Sequence, residues 1–228
     1  MVDLTASTQS DLAELVNASV AKSGEVIAAE FQSDGRGRLD RTFEAPPQSA
    51  LLFSLYIAPK RARSDWSFIS FLAAMAMHEV ISKDIADKVS LKWPNDILIG
   101  ERKVAGLLAQ QIGDGVIVGI GLNVAMNEIE LPVPTATSLA LSGSNNLDRN
   151  SLLIDFLNRL ESIYAEWESG ADFLEKYRQI SSTLGRQVRV EVLGRDSIEA
   201  EAVAITAQGA LILRDGTEVN VGDVVHLR

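Results

Sequence analysis

The 228-residue sequence has no cysteine and only two histidines, His78 and His226. The absence of cysteine excludes a disulfide framework, a thiolate metal site and a cysteine nucleophile. Neither histidine lies in a ligand-like pattern, so we interpret both as structural. No stretch reaches the roughly 18 uninterrupted apolar residues of a membrane-spanning helix. The N-terminal segment also lacks the basic start and apolar run of a signal peptide, so we expect a cytoplasmic protein without a membrane partner.

Positive charge is scarce. Lysine and arginine number 21 against 31 aspartates and glutamates, for a formal net charge of −10. This balance argues against free-standing nucleic-acid binding, which requires clustered cations. A Gly-Lys-Ser/Thr phosphate loop is also missing, and the run Gly119–Asn123 lacks the third glycine of a dinucleotide-binding fingerprint. A chain of 228 residues can hold one large domain and a small one, and its 46% apolar residues are enough for a sizeable core.

The scarce arginines are concentrated in one short segment, 35–43, which also contains Gly35 and Gly37. Glycine lets the backbone approach a ligand closely, and the arginine guanidinium offers a fixed fork of donors to carboxylate or phosphate. A solvated turn is the plain alternative. Apolar runs predicted as strands at 25–31 and 49–58 flank the segment, which favours a loop that grips a small anion.

The remaining apolar patterns predict the elements of an α+β domain. Helical spacing begins at Ser7 or Thr8, with an apolar face that extends to Val20, and recurs at 66–81, from 148 or 150, and at 172–180. Four extended runs joined by tight turns predict antiparallel hairpins in a mixed sheet: 89–93, 97–99, 104–111 and 116–124. After Gly185 a period-two alternation predicts a small all-β barrel that leans on the main domain. We therefore place a large domain at 1–183 and a small one at 184–228.

Several motifs occur in a particular order along the chain. They are Gln32 with Gly35-Arg-Gly-Arg38, Lys92-Trp-Pro-Asn-Asp96, Lys103-Val-Ala-Gly106, Gly119-Ile-Gly-Leu-Asn123 and Thr137-Ser-Leu139. In this order, and with the terminal barrel, the sequence resembles the biotin protein ligases (biotin–[acetyl-CoA-carboxylase] ligases). The resemblance covers nearly the whole chain. It implies a mixed β-sheet with helices on one side, of the class II synthetase and biotin–lipoate ligase kind, plus a C-terminal SH3-like β-barrel.

The resemblance also implies a reaction in two steps. Biotin and ATP, with Mg²⁺, give biotinyl-5′-AMP and pyrophosphate, and a lysine of a biotin carboxyl carrier domain then takes the biotin. The 1–183 domain would be the catalytic one. Because no winged-helix segment precedes it in this sequence, we expect the monofunctional type without a DNA-binding domain or nucleic-acid partner. A monomer or a homodimer is expected.

Particular residues are implied for each part of the site. Lys103, Arg38 and Asp96 are the expected catalytic residues, since a lysine beside the α-phosphate supplies a point charge where negative charge develops. Asp96 would help with metal or with the attacking lysine; metal ligands are otherwise left open. For biotin we expect Ser7, Thr8, Gln9, Gln32, Gly35, Arg36, Gly37, Arg38, Lys103, Gly106 and Gly119. For ATP and the adenylate we expect Arg36, Arg38, Arg41, Phe43, Lys92, Trp93, Asn95, Lys103 and Asn123.

Two positions depart from the pattern of that family. Gln9 stands where the family has asparagine, after two hydroxyl residues that would bond the ureido ring of biotin. Phe43 stands where the family usually has tryptophan and offers a smaller ring to adenine. Both departures bear on affinity and leave the reaction class unchanged.

Two other functions stay open. Lipoate ligases and octanoyl transferases share the sheet and also modify lysines, but they are not expected to carry Gly-Arg-Gly-Arg or Lys-Trp-Pro-Asn-Asp. A non-enzymatic biotin-binding regulator would bind biotin and release no pyrophosphate.

Overall fold

The computed structural model describes residues 1–38, 41–192, 194 and 196–227. Within them the chain forms four helices, a short 3₁₀ turn (Arg63–Phe68) that leads into the second helix, and twelve strands. The helices are α1 (Thr8–Asn17), α2 (Ile69–Ser82), α3 (Arg149–Glu168) and α4 (Leu174–Ile180). The strands of the main domain are β1 (Val2–Thr5), β2 (Val26–Gln32), β3 (Ala50–Ile57), β4 (Val89–Lys92), β5 (Asp96–Ile99), β6 (Arg102–Ile112) and β7 (Gly115–Asn123). The C-terminal strands are β8 (Gln187–Glu191), β9 (Ile198–Ile205), β10 (Leu211–Leu213), β11 (Glu218–Val219) and β12 (Asp223–His226).

The main domain is built on a seven-stranded sheet with the strand order β1-β2-β3-β7-β6-β5-β4. Strand β1 runs parallel to β2, whereas the other neighbours are antiparallel. The predicted mixed sheet is therefore confirmed, and the hairpins predicted from the tight turns at 100–103 and 113–115 are present as β5–β6 and β6–β7.

The two faces of the sheet have different roles. On β3, Leu51 and Phe53 face α2 and α3 and belong to the main hydrophobic core, where the Phe53 ring meets Phe156 edge to face. Further along the same strand, Ser54 and Tyr56 face the opposite side of the sheet, where Tyr56 packs against α1. The long helices thus cover one face as predicted. The short α1 lies on the other face, which leaves the rest of that face free for a site.

Two details of the predicted helices are corrected. Ser7 occupies the N-cap position of α1, but its hydroxyl makes no capping hydrogen bond. The helix ends at Asn17, so Val20 lies outside it and is 63% exposed. The predicted start of α3 is confirmed, because the Asp148 carboxylate accepts a hydrogen bond from the Asn150 backbone N–H at 2.9 Å.

The C-terminal strands form a separate antiparallel sheet with the order β11-β10-β9-β8-β12, as expected for a small SH3-like barrel. The sequence pattern did not predict strand β12. The turn between β9 and β10 contacts the main domain, where Gly209 adopts a φ of +83° and a β-carbon on it would meet the Phe71 ring. The barrel therefore packs against the main domain through a turn in which the backbone conformation and the nearby Phe71 ring both favour glycine.

No helix in the described part of the chain is long and apolar enough to cross a membrane. His78 has the structural position expected of it, because its Nε2 lies 3.1 Å from the Val89 carbonyl oxygen. Burial lowers the pKa of His78 below its ordinary value.

Candidate active site

Three glycines form a bare patch on the free face of the central sheet. Gly106 on β6 pairs directly with Gly121 on β7, and Gly119 lies two residues further along β7 on the same face. With no β-carbon at these positions, a flat ligand can lie against the backbone. In this structure a side chain lies over each of them: Lys103 over Gly106, Gln9 over Gly119 and Phe43 over Gly121.

Above this glycine floor lies a cavity of about 280 Å³. Most of the predicted site residues line it, although they come from distant parts of the sequence. They are Ser7, Thr8, Gln9, Gln32, Arg36, Gly37, Arg38, Arg41, Phe43, Lys92, Trp93, Asn95, Asp96, Lys103, Gly106 and Gly119. The structure therefore brings the motifs together in one place.

Lys103 reaches this cavity because of an irregularity in the β5–β6 hairpin. Ile97 pairs with Ala105, but Leu98 pairs with Lys103, so Val104 is skipped. Such a bulge shifts the alternation of side chains between the two faces. Strict alternation from Gly106 would place Lys103 on the opposite face, and the bulge returns it to the face of the glycine floor. Val104 is fully buried in the main core instead.

The Lys103 ammonium forms an ion pair with Asp96, with 2.6 Å between Nζ and Oδ1. Both side chains are partly exposed, at 38% and 20%. Asp96 pairs directly across the β4–β5 hairpin with Lys92, which puts a second cation on the same face. The cavity thus holds a carboxylate between two lysines, an arrangement suited to a charged ligand and to a metal or an amine.

A polar cluster closes the α1 end of the cavity. The Thr8 hydroxyl lies 2.8 Å from the Ser54 hydroxyl, which in turn donates to Gln9 Oε1 at 3.3 Å. The Thr8 backbone N–H donates to Gln32 Oε1 at 2.8 Å. The Ser7 hydroxyl is buried and has no hydrogen-bond partner among the described residues. Because a buried polar atom without a partner is costly, a water or a ligand that hydrogen-bonds to Ser7 would stabilise this cluster.

The described residues of the arginine segment, 35–38 and 41–43, pair with each other over the cavity; we call these residues the arginine hairpin. Arg36 pairs with Thr42, and the Gly37 N–H donates to the Arg41 carbonyl oxygen at 2.7 Å. Gly35 lies at the base of this hairpin and is not among the residues that line the cavity, so its contact with biotin stays a prediction. Its role is local, because a β-carbon there would collide with the carbonyl oxygen of Phe43.

The barrel holds this hairpin from the other side. Arg41 forms an ion pair with Asp223 at 2.5 Å, and Arg38 Nη2 donates to the Gly222 carbonyl oxygen at 3.1 Å. Burial lowers the pKa of the Arg38 guanidinium, while the negative charges of Asp223 and Asp96 act in the opposite direction. A partly desolvated arginine beside an anion site gains strongly from a phosphate partner.

Two predicted nucleotide ligands have other roles. Asn123 is buried outside the cavity lining, and its side-chain amide donates to the Thr137 carbonyl oxygen at 2.9 Å. Thr137 N–H in turn donates to the Lys103 carbonyl oxygen, so Asn123 supports the strand that carries the lysine. The Trp93 ring lies in the main core, and its Nε1–H donates to the Gly209 carbonyl oxygen at 2.9 Å. Both side chains are thus engaged in contacts within the protein.

Asn95 lines the cavity, but its amide is already engaged. Its Nδ2 donates to the Leu107 carbonyl oxygen at 2.8 Å, and the Leu107 N–H donates back to the Asn95 carbonyl oxygen. This reciprocal pair fixes the turn that precedes Asp96.

The sequence reasoning missed several residues of the cavity. Ser54 had a signal, since it is the one serine in the otherwise apolar and aromatic run Ala50–Ile57. Gly121 had one too, since it follows Gly119 at the period of a strand. The barrel residues Glu191, Asp223 and Val225 also line the cavity. No local signal marked them, because they reach the site only through the docking of the second domain.

Family comparisons agree with this geometry. Residues 1–127 match the model of the biotin/lipoate A/B protein ligase family, and residues 183–227 match that of the biotin protein ligase C-terminal domain. The chain therefore belongs to the biotin protein ligases.

Individual relatives support the same assignment. The chain is 35% identical to the biotin–[acetyl-CoA-carboxylase] ligase of Mycobacterium tuberculosis, over all of this chain and 88% of that protein. It is 32% identical to the bifunctional ligase/repressor BirA of Escherichia coli, over 86% of this chain but only 63% of that protein. Among solved structures, the biotin protein ligase of Aquifex aeolicus in complex with biotin and ATP aligns with a TM-score of 0.83 and 28% identity, over 100% of this chain and 97% of that one.

Proposed function

We propose that this protein activates biotin with ATP to biotinyl-5′-AMP and then transfers the biotin to a lysine of a biotin carboxyl carrier domain. One observation supports this above all others. A polar cluster with an unpartnered buried hydroxyl, a glycine floor, a lysine and an arginine hairpin lie side by side around one cavity. Those are the parts that a small acid with a polar head and a carboxylate tail requires, next to a nucleotide.

The polar head of biotin would occupy the α1 end of the cavity. A ureido ring has two N–H donors and a carbonyl acceptor, which match the hydroxyls of Ser7, Thr8 and Ser54 and the amide of Gln9. The dithiolane ring of lipoate offers no comparable groups and would leave these buried polar atoms unpaired. A site built for hydrogen bonds rejects a ligand that lacks them. The cluster thus favours biotin over lipoate or octanoate.

The reacting groups would meet above Gly106. A carboxylate oxygen of biotin attacks the α-phosphorus of ATP, the bond to the β-phosphate oxygen breaks, and pyrophosphate leaves. Lys103 Nζ lies where it can neutralise charge on both the carboxylate and the α-phosphate. Arg36, Arg38 and Arg41 on the hairpin supply donors for the phosphates, and Phe43 supplies a ring for the base.

The second step attaches biotin to the carrier. The amine of a carrier lysine attacks the carbonyl carbon of the anhydride, and AMP leaves with the electron pair of the broken carbon–oxygen bond. The attacking ammonium must first lose a proton. Asp96 forms an ion pair with Lys103 in the cavity, which supports a role for its carboxylate in holding the incoming lysine and accepting that proton.

Magnesium fits this site as a companion of the nucleotide. The described residues contain no cluster of three or more metal-ligating side chains. Mg²⁺ bound to nucleotide phosphates needs only one or two carboxylates from the protein, and Asp96, whose Oδ1 pairs with Lys103, lines the cavity. When bound, the ion would neutralise the departing pyrophosphate. A cytoplasmic location, a monomeric or homodimeric state and the lack of a nucleic-acid partner stay predictions.

The direct test is mass spectrometry of a carrier domain incubated with the protein, biotin and MgATP. We expect a mass increase that corresponds to one biotin on the carrier and an equal release of pyrophosphate. Replacing biotin with lipoate should give neither product. Ser7→Ala should weaken biotin binding by about ten-fold, the loss of one hydrogen bond in a buried site. Transfer of lipoate at the rate of biotin would overturn the proposal, and biotin binding without pyrophosphate release would favour a regulator.

A further inference from the structure

The segment that links the two domains runs alongside the edge strand of the main sheet. Ser181 forms a parallel bridge with Leu91 of β4, and the Ser182 N–H donates to the Leu91 carbonyl oxygen at 2.8 Å. The next residue, Thr183, is fully buried. The linker is thus fixed beside the strand that leads to Lys92 in the cavity.

Thr183 accepts a hydrogen bond from a backbone N–H in the turn between β4 and β5, where the two strands no longer pair. Between Lys92 and Asp96 the chain turns through residues 93–95, where the β4–β5 ladder has ended. The Trp93 backbone N–H in this turn is buried and donates to Thr183 Oγ1 at 3.0 Å. Without that hydroxyl a buried donor would lose its partner. The turn between the two charged cavity residues is therefore held in place from the domain junction.

His226 on β12 orients the Thr183 hydroxyl. Its Nε2 lies 3.2 Å from Thr183 Oγ1, and Arg186 Nη1 lies 3.4 Å from its Nδ1. Because arginine only donates, Nδ1 is the acceptor and Nε2 carries the proton that is donated to Thr183. Burial, with the charges of Lys92 and Arg186, lowers the pKa of His226 to about 4, so the ring is neutral at pH 7. Arg186 is itself held by Glu101 at 2.8 Å.

We propose that Thr183, oriented by His226, is a positioning residue that sets the Lys92–Asp96 turn for the adenylation step. The inference rests on the proposed function, because it concerns the ATP side of that site. Thr183 does not line the cavity, yet its hydroxyl fixes the backbone directly between Lys92 and Asp96. A displacement of about 1 Å in groups that hold the reactants can lower the rate by up to about 10²-fold. The hydroxyl therefore acts on the nucleotide through the turn.

The test compares Thr183→Val, which keeps the shape and removes the oxygen, with Thr183→Ser, which keeps the oxygen. Biotin-dependent pyrophosphate release gives kcat and the KM values for ATP and biotin. We expect Thr183→Val to lower kcat/KM for ATP by about 10-fold to 10²-fold. The KM for biotin should change little, since the polar cluster lies at the other end of the cavity. Thr183→Ser should recover most of the activity.

A matched control separates positioning from stability. Leu213→Ala removes a buried side chain from the barrel core, away from the cavity lining, and destabilises the domain. Thermal unfolding of both variants allows a comparison at temperatures where each is folded. An equal fall in kcat/KM for ATP in Leu213→Ala would overturn the proposal, as would wild-type kinetics in Thr183→Val.

A second pair of variants covers the case in which Thr183→Val does not fold. His226→Gln keeps a donor that can reach Thr183, whereas His226→Leu removes it. We expect only His226→Leu to lower kcat/KM for ATP. Equal kinetics of these two variants would count against the role of His226 and overturn the proposal. If the wild-type protein itself releases no pyrophosphate with biotin, the proposed function fails instead.

Discussion

The tip of the Phe43 ring lies directly over Gly121, with its Cζ 2.6 Å from the point where a β-carbon on that glycine would stand. The arginine hairpin ends at Phe43. The contact of this ring with the glycine floor therefore positions the end of the hairpin over the cavity. A side chain at position 121 has no space unless the ring moves.

Gly121→Ala is therefore expected to displace Phe43 and to weaken binding of a non-hydrolysable adenylate analogue. The expected loss is about 1–3 kcal/mol, the usual cost of overpacking a fitted contact. Calorimetry measures it. In a Phe43→Ala background the same substitution should cost much less, because the ring that it displaces is gone. Additive effects of the two substitutions would show that the ring and the glycine are not coupled.

Lys103→Ala should abolish most adenylate formation while the fold is kept. The loss of one charge contact at the reacting phosphate costs roughly 3–4 kcal/mol, or about 10²–10³ in rate. Pyrophosphate release measures this step alone. Lys83→Ala is the control, because Lys83 is an exposed lysine that pairs with Asp155 on the helical side of the sheet. Unchanged pyrophosphate release by Lys103→Ala would remove the lysine from its assigned role.

Arg38→Ala and Asp223→Asn should both shorten the time for which the protein retains biotinyl-5′-AMP. Each variant removes one contact between the arginine hairpin and the barrel, at Gly222 or at Arg41. A loosened hairpin lets the mixed anhydride escape or hydrolyse. Rapid gel filtration with labelled biotin gives the half-life, which we expect to fall several-fold. Arg63→Ala, which breaks an ion pair with the fully exposed Asp114 outside the cavity lining, should leave it unchanged.

Asp84 should make the folded state sensitive to acid. Hydrogen bonds from the Ser144 hydroxyl, the Asn146 backbone N–H and the Asn145 side chain lower the pKa of Asp84 to about 2. The pKa of Asp84 in the folded state lies below the ordinary value of 3.8. Between about pH 2 and pH 4 the unfolded chain therefore binds more protons than the folded chain. The stabilisation by Asp84 is therefore present above about pH 4 and is lost as the pH falls toward 2.

Urea unfolding of wild type and Asp84→Asn between pH 7 and pH 3 tests this. The wild type should be the more stable at neutral pH, and the difference should shrink below about pH 4. Asp114→Asn provides a control at a fully exposed carboxylate. A difference that stays constant down to pH 3 would exclude Asp84 as the titrating group.

Gly209→Ala should destabilise the contact between the two domains. The new β-carbon would meet the Phe71 ring, and the φ of +83° is unfavourable for alanine. Gly216 is a matched control, with a φ of +86° and open space where a β-carbon would stand. Both substitutions carry the backbone strain. The extra loss in Gly209→Ala, expected at about 1–3 kcal/mol, isolates the contact with Phe71. Equal melting temperatures would show that the turn does not support the docking.

Most of the fold was predictable because apolar alternation and helical spacing are local properties. The lining of the cavity is predictable where a motif and the sheet period agree, as for Gly119 and Asp96. For Trp93 the two signals differ, because the motif indicates the nucleotide whereas period two places the ring on the face opposite Lys92, in the core. The alternation is the better guide to the position of this side chain.

Other parts of the site depend on contacts that no local pattern contains. Asn123 lies on the same face as Gly121, but a segment that follows it in the chain covers it through Thr137. Asp223 approaches Arg41 only when the barrel docks. In both cases the two partners are distant in sequence. The environment of Asn123 and of Arg41 is set by the packing of separate elements, which a local sequence pattern does not contain.

The skipped Val104 also bears on how the β5–β6 hairpin finds its alignment. If Ile97 paired with Ala105 and the ladder continued without the bulge, Ile99 would face Lys103, and the ammonium would enter the apolar core. An unpaired charge in such surroundings is strongly unfavourable. The misaligned hairpin is therefore penalised by the charge of Lys103. We expect this lysine to oppose slippage of β6 against β5, and a neutral residue at this position to remove that penalty.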